Sequence, residues 1–397
     1  MFAGLTERLR LDIQTIKDVV DLHDHARALF YPSAISETAS TGVDPVDSWA
    51  RFRGRSPKRA EWQIYDHCAA LTRLYAVYSI FIDDAISEFL RVLPQLYDRY
   101  DQLPPAVLKQ HRVGFGQILL KLGEFGPYRH LREEEIIEQL SHGLAGKQPY
   151  VLLADAFFVD RQNYRLEHLA RLLGHMGIDN AGARIAAHPA MASYLERELG
   201  ESASLDGELG RFVQLRNEAA HGQVGEVIGA EDFRLLADFI RTVCEIVGEI
   251  ILRELLERRL ALGQLALLGP VEHVYHEGTI AIVKMKAATV AVGEQVALIR
   301  NGRIVHLAVV RSIMEDDVSR DSIAGQDGQE LGIGLDSVCK VGMLVAKTAT
   351  ESAIPEPQQP LFAPEDQVGL AEDALPADIN EVDSISEVES QPDDLSD

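Results

Sequence analysis

The sequence has few cysteines and no long uninterrupted hydrophobic run. Its three cysteines, Cys68, Cys244 and Cys339, lie far apart and form no CxxC pair, which argues against a disulfide framework and against a thiolate zinc site. The most apolar stretch, at 278–299, contains charged residues before it reaches the 18 residues that a membrane-spanning helix needs. Because no signal peptide is evident either, we expect a cytoplasmic protein without a membrane partner.

Motifs for several common chemistries are also missing. The sequence contains no glycine-rich phosphate loop and no G-x-S-x-G elbow, so nucleotide and serine-hydrolase chemistry have no motif to support them. His23 and His25 are two residues apart on a predicted helix and therefore point to different faces, which disfavours a metal site. We predict no metal and no cofactor.

Basic residues are scarce overall and absent from the C-terminal segment. The net charge is −24, and residues 351–397 hold 14 acidic residues, six of the 16 prolines and no Lys or Arg. Such a segment buries too little apolar surface to fold, so we predict a disordered acidic tail. A chain this acidic is not a general binder of phosphate backbones, and any nucleic-acid contact must come from a local basic patch.

The rest of the chain is long enough for two cores and divides by pattern. Apolar residues recur at helical spacing from about 5 to 262, and short β-branched runs with turn signals follow after 269. We predict a multidomain protein, α then all-β: a helical domain at 1–264, a small closed β-barrel at 268–348 and the tail at 351–397. The predicted helices are 5–30, 60–93, 105–124, 131–144, 165–176, 190–199, 205–221 and 230–262.

One motif in the helical domain has residues suited to catalysis. The segment LGRFVQLRNEAAHG contains the pattern R-N-x-x-x-H, formed by Arg216, Asn217 and His221 at the end of a predicted helix. An imidazole exchanges protons near neutral pH and a guanidinium grips phosphate, which are the requirements of metal-independent RNA cleavage. The structural alternative is that His221 favours the helix end before Gly222 while Arg216 pairs with a surface carboxylate.

These residues resemble the HEPN superfamily, in particular its toxin-like and phage-defence ribonucleases. The likeness covers about 5–262 and includes the helix-rich stretch QIYDHCAALTRLYAVYSIFIDDAISEFL. The resemblance implies that Arg216 and His221 are the catalytic pair and that Asn217 is the polar residue beside the arginine. Many relatives carry a Glu in the earlier helix, where this sequence has Ser79 followed by Asp83 and Asp84.

The resemblance also implies partners. HEPN domains commonly pair so that two motif helices face one phosphate, so we expect a homodimer and, for a toxin, a neutralising protein partner. A broad apolar stripe on helix 60–93 suits pairing, although burial inside the same domain explains it equally well. The alternative function is a catalytically inactive HEPN-like adaptor or an RNA-binding or interaction protein.

A single dense basic patch precedes that helix. The segment RFRGRSPKR places five basic residues close together near Phe52 and two tryptophans. Cationic side chains interleaved with aromatic rings suit single-stranded RNA, whereas a solvated loop is the structural alternative. The candidate RNA-binding residues are Arg51, Arg53, Arg55, Lys58 and Arg59.

The barrel sequence resembles the second domain of translational GTPases such as elongation factor Tu. The matching features are the step at Val290–Val296, the glycine-spaced run from Ala324 to Leu335, and the V-x-x-x-G-x-L element at Val338–Leu344. In those GTPases this barrel helps to contact tRNA or the ribosome. The resemblance therefore implies targeting to tRNA or ribosomal RNA, without GTP hydrolysis, because no GTPase domain accompanies it.

Overall fold

The computed structural model of the chain describes residues 2–31, 56–122, 128–160, 163–200, 202–222 and 224–348. Within these ranges a helical half is followed by a β-barrel, which confirms the predicted fold class. The predicted tail at 351–397 lies outside the described residues.

The helical half follows the apolar periodicity of the sequence closely. Its helices within the described ranges are α1 (Phe2–Phe30), α2 (Arg59–Leu96), α3 (Pro105–Lys121), α4 (Glu133–Leu144), α5 (Leu166–His175), α6 (Ala181–Ala186), α7 (Pro189–Tyr194), α8 (Leu205–His221) and α9 (Ala230–Ala261). Helix α6 was not predicted, and the predicted helix 190–199 is α7 followed by a π-helical turn, Leu195–Leu199. Helix α2 continues past its predicted end at 93 and through Pro94 to Leu96. Leu93 and Leu96 are buried, so apolar packing holds this last turn in the core.

Helix α2 lies at the centre of the helical core. It packs against α1, α8 and α9. Its broad apolar stripe is buried inside the same chain, so the stripe does not support a dimer interface. The stripe consists of Leu71, Leu74, Tyr75, Tyr78, Phe81, Ile82, Ile86 and Phe89.

Helix α8 begins and ends as its sequence predicts. The Ser204 hydroxyl accepts a hydrogen bond from the Gly207 N–H over 3.1 Å, which caps the N-terminus. At the other end Gly222 adopts a left-handed conformation with φ of 70°, and its N–H donates to the Glu218 carbonyl. These two caps place His221 in the last helical turn.

The C-terminal half is a closed antiparallel barrel. Six strands join in the order β4-β9-β1-β2-β8-β5, and pairing of β4 with β5 closes the ring. The dipeptide Asn301-Gly302, whose sequence alone is typical of a type I′ hairpin turn, has positive φ at both residues, 51° and 72°. The strands are β1 (Leu267–Tyr275), β2 (Ile280–Lys284), β3 (Ala288–Ala291), β4 (Gln295–Arg300), β5 (Arg303–Glu315), β6 (Val318–Arg320), β7 (Ser322–Gly325), β8 (Glu330–Leu335) and β9 (Leu344–Lys347).

The barrel packs on the last helix of the helical half. Leu256 of α9 shares a buried apolar cluster with Ile299, Ile304 and Ala346 of the barrel. This cluster is separate from the barrel's own core. The two halves are therefore connected by apolar packing as well as by the chain.

No described helix has the length and apolar character needed to cross a bilayer.

Candidate functional site

Helix α8 places Arg216 against α2. The Arg216 guanidinium carbon lies 3.9 Å from the centre of the Tyr75 ring. Its Nη1 donates to the Asn217 Oδ1 over 2.8 Å and to the Asn163 Oδ1 over 3.0 Å. A guanidinium stacked on an aromatic face keeps its planar donors directed to the side, which suits the recognition of an oxyanion.

The hydrogen-bond partners of Arg216 are neutral amides. Asn217 Oδ1 also accepts from the Asn163 Nδ2 over 3.3 Å, so the two amides and the guanidinium form one small network. Among the described residues no carboxylate forms a salt bridge with Arg216, which contradicts the structural alternative of a surface ion pair. The described residues therefore hold the guanidinium of Arg216 in place through amide groups and not through an ion pair.

A buried tyrosine cluster positions the segment that contains Asn163. The Tyr75 hydroxyl accepts from the Tyr164 N–H over 3.1 Å, and the Tyr78 hydroxyl donates to the Tyr164 carbonyl over 3.0 Å. Phe212 of α8 packs against both Tyr75 and Tyr78. Burial raises the pKa of the Tyr75 hydroxyl, so this group stays protonated and acts as a hydrogen-bonding anchor.

His221 lies one turn beyond the Arg216 network and is exposed. Its imidazole forms no hydrogen bond with Arg216 or with any other residue that the structure describes. Asn217, four residues earlier on α8, is instead bonded to Arg216 and Asn163. The structure therefore brings Arg216 and Asn217 into direct contact and leaves the His221 imidazole open to solvent.

Asp83 and Asp84 of α2 lie on different sides of the helix. The Asp83 carboxylate accepts a hydrogen bond from the Tyr164 hydroxyl and therefore lies on the Arg216 side. Asp84 lines a small cavity with Arg8 of α1, and burial raises the pKa of its carboxyl. Ser79 donates to the Ala76 carbonyl of its own helix. Of these three residues, Asp83 has the direct connection to the site, through Tyr164.

Two of the five predicted RNA-binding residues are described. Lys58 and Arg59 are exposed at the N-terminus of α2, and the Lys58 ammonium lies 3.9 Å from the Glu61 carboxylate. Residue 59 is about 24 Å along the helix axis from residue 75 at the standard rise per residue. Arg51, Arg53 and Arg55 lie outside the described residues.

Helix α8 runs antiparallel to α2. Phe212 of α8 contacts Tyr78 and Tyr75 of α2. Glu218 lies later on α8, and His67 lies earlier on α2. Burial lowers the pKa of the His67 imidazole, and the nearby carboxylates of Glu226 and Glu218 partly oppose this shift. The His221 end of α8 is therefore directed toward the end of α2 that carries Lys58 and Arg59.

Sequence reasoning missed Asn163, Tyr164 and the role of Tyr75. Asn163 lies in a loop 53 residues before Arg216, and no motif in the sequence connects the two positions. Tyr75 belongs to the apolar stripe of α2, where its helical spacing indicates a core residue and nothing more. Their contribution became visible only when the helices packed together.

The comparisons with known proteins concern the same region. A family model described as HEPN_MAE_28990:/-like HEPN matches residues 53–260, which is just over half of the chain. The matched region contains Tyr75, Asn163, Arg216 and His221. No curated protein matches the sequence.

Proposed function

Because the chain belongs to the HEPN family described as HEPN_MAE_28990:/-like HEPN, we propose that it is a metal-independent endoribonuclease with a toxin-like or anti-phage role. The observation that carries this proposal is the environment of Arg216. A guanidinium stacked on Tyr75 and held by two amides is oriented, and none of the described carboxylates forms an ion pair with it. Such a group stabilises the negative charge that develops on a phosphate during cleavage.

His221 supplies the proton transfer in this proposal. The 2′-hydroxyl of the RNA loses its proton to an imidazole, and its oxygen attacks the adjacent phosphorus. The bond between phosphorus and the 5′-oxygen then breaks, and that oxygen takes up a proton from an imidazolium. The products are a 2′,3′-cyclic phosphate and a 5′-hydroxyl, so every proton and bond is accounted for without a metal ion.

A homodimer would complete the set of proton donors and acceptors. The single His221 imidazole of one chain provides either the base or the acid at the start of the reaction. Two copies of α8 facing one phosphate would bring two His221 side chains and two Arg216 side chains together. We propose this pairing as the active form.

We propose that surfaces outside the Arg216 network select the RNA substrate. The basic segment that includes Lys58 and Arg59 is proposed to contact single-stranded RNA, since His221 and these residues lie toward the same end of the α2–α8 pair. The barrel is proposed to direct the enzyme to tRNA or ribosomal RNA, and a neutralising protein is proposed to restrain it.

The test measures cleavage of total cellular RNA by the wild type and by singly substituted proteins, in the presence of EDTA. Arg216→Ala and His221→Ala should each lower the cleavage rate by at least about a hundredfold, the range expected for one acid–base or charge-stabilising group. Arg211→Ala on the same helix and His25→Ala on α1 are matched controls, since both side chains are exposed. Products of the active proteins should end in a 2′,3′-cyclic phosphate.

Equal cleavage by all of these proteins would remove the catalytic assignment. Absence of cleavage by wild type, together with RNA binding that depends on Lys58 and Arg59, would favour the inactive adaptor instead.

A further inference from the structure

Arg165 is a cation beside the Arg216 network that the proposed mechanism does not use. It is exposed and stands immediately before α5, two residues after Asn163. Its Nη1 would lie 3.5 Å from a Cβ built at Gly210 of α8. Because glycine has no side chain, the Arg165 guanidinium lies close to the motif helix at this position.

Gly210 and Asn217 lie on the same side of α8. They are seven residues apart, which corresponds to about two turns and about 10 Å along the helix axis. Asn217 Oδ1 accepts from the Arg216 Nη1 over 2.8 Å. The guanidinium groups of Arg165 and Arg216 are therefore arranged one after the other along one side of the motif helix.

The backbone holds Arg165 at this point. Its N–H donates to the Asn163 carbonyl over 2.7 Å, and its carbonyl accepts from the Leu169 N–H over 2.9 Å. Between Asn163 and Arg165, the N–H and the carbonyl of Tyr164 are both hydrogen-bonded to tyrosine hydroxyls of α2. Arg165 and the Asn163 side chain that contacts Arg216 therefore belong to one anchored turn.

No carboxylate of the described residues forms a salt bridge with Arg165. The acidic groups beside this part of α8 have another partner, because Glu208 and Glu226 both pair with Arg211, over 4.0 and 3.2 Å. The whole chain has a net charge of −24, so two arginines that lie close together without a described carboxylate partner are unusual for it. Such a pair favours an anionic ligand.

We propose that Arg165 binds a second phosphate of the RNA strand, beyond the scissile phosphate that Arg216 stabilises. This inference rests on the proposed function. A guanidinium binds a phosphate through two parallel hydrogen bonds. Two guanidinium groups in succession match the repeated phosphates of a strand, whereas one free anion would occupy only one of them. Contacts to phosphate fix the position of a strand without reading its bases. Arg165 is therefore a substrate-positioning residue.

The test measures binding of the full-length protein to a 2′-O-methylated pentanucleotide, which cannot be cleaved by 2′-hydroxyl attack. Arg165→Gln should weaken binding by about tenfold. It should also reduce the slope of log affinity against log salt concentration by about 0.7, the contribution of one phosphate of a single strand. Arg165→Lys keeps the charge and should keep the slope. Arg211→Gln, at an exposed but ion-paired arginine of α8, is the matched control and should change neither quantity.

Neutral phosphates separate a direct contact from a structural effect. Each phosphate of the pentanucleotide is replaced in turn by an uncharged methylphosphonate. At one position the wild type should lose about tenfold in affinity, and Arg165→Gln should show no further loss there. The same losses at every position in both proteins would overturn the inference. So would binding by Arg165→Gln that matches the Arg211→Gln control, or no binding by the wild type.

Cleavage plays no part in these measurements, so the two proposals can fail separately. Binding that depends on Arg165, in a wild type that cleaves no RNA, would refute the ribonuclease and retain the phosphate contact. Cleavage that depends on Arg216 and His221, with unchanged binding by Arg165→Gln, would do the reverse.

Discussion

The Arg216 guanidinium stacks on the Tyr75 ring at 3.9 Å. This contact joins the motif helix α8 to the central helix α2. The hydroxyl of the same tyrosine accepts the Tyr164 N–H and thereby fixes the segment in which Asn163 lies. Tyr75 therefore positions Arg216 from two directions, through its ring face and through the backbone that holds Asn163.

The two roles of Tyr75 are separable by substitution. Tyr75→Phe keeps the ring and leaves the Tyr164 N–H without an acceptor, which should lower the free energy of unfolding by about 1–3 kcal/mol. Tyr75→Leu also removes the stacking surface and should cost about 2–4 kcal/mol. Chemical denaturation measures both values. RNA cleavage is then measured at a temperature where both variants are folded. If the ring face positions Arg216, the cleavage rate should fall more in Tyr75→Leu than in Tyr75→Phe. Equal rates in the two variants would argue against the stacking role.

Asn163 offers a test of charge at the site. Asn163→Asp keeps the size of the side chain and places a carboxylate beside Arg216 in place of an amide oxygen 3.0 Å away. The ion pair with the new carboxylate should reduce the rate of RNA cleavage by more than about tenfold, because a guanidinium that is already paired stabilises the phosphate charge less. Asn180→Asp, at the start of α6, introduces the same charge away from the site and should have little effect. A fully active Asn163→Asp protein would show that the charge of Arg216 is not used.

His111 should make stability depend on pH in a defined window. Burial lowers the pKa of its imidazole from 6.5 to about 4, and Nε2 accepts from the Leu153 N–H over 3.0 Å. Between these two pH values the unfolded chain binds a proton that the folded chain does not, so stability falls as the pH decreases from 6.5 to 4. The loss of folding free energy that His111 causes approaches about 3 kcal/mol at the acidic end of this window.

His111→Gln should flatten this dependence. Denaturant titrations at several pH values would compare it with wild type and with His25→Gln, an exposed histidine on α1. The wild type and the control should show the same slope, and the His111 variant a smaller one. Identical slopes in all three proteins would place the acid sensitivity elsewhere.

Gly114 is required by close packing of α3 on the short turn Ala154–Phe157. A Cβ at Gly114 would lie 1.8 Å from the Ala156 carbonyl oxygen, a backbone atom that cannot move aside alone. Gly114→Ala should therefore destabilise the protein by about 1–3 kcal/mol or more. Gly116→Ala on the same helix has open space and should stabilise by about 0.5–1 kcal/mol. Thermal melting of the two variants gives the comparison, and equal midpoints would contradict the packing.

Removal of the barrel tests its proposed role in targeting. Residues 1–264 should still cleave a generic single-stranded RNA but lose preference for tRNA or ribosomes in a translating extract. Because truncation uncovers Leu256 and its neighbours, a second fragment with Leu256→Gln and Leu260→Gln controls for aggregation. Identical cleavage profiles of fragment and full chain on both substrates would mean that the barrel does not direct the enzyme.

The sequence by itself determined the local structure and the change from helices to strands. Helical spacing of apolar residues, Gly222 after the end of α8, and the Asn301-Gly302 turn depend on neighbours along the chain, and the structure agrees with each. The R-N-x-x-x-H motif was visible for the same reason, since its three residues lie within six positions on one helix.

Only the tertiary structure decided what surrounds that motif. Asn163 and Tyr75 reach Arg216 from segments 53 and 141 positions away, and no local pattern records such contacts. Periodicity shows which face of a helix is buried, but the partner of that face depends on how distant segments pack, and this packing decides which polar groups are satisfied.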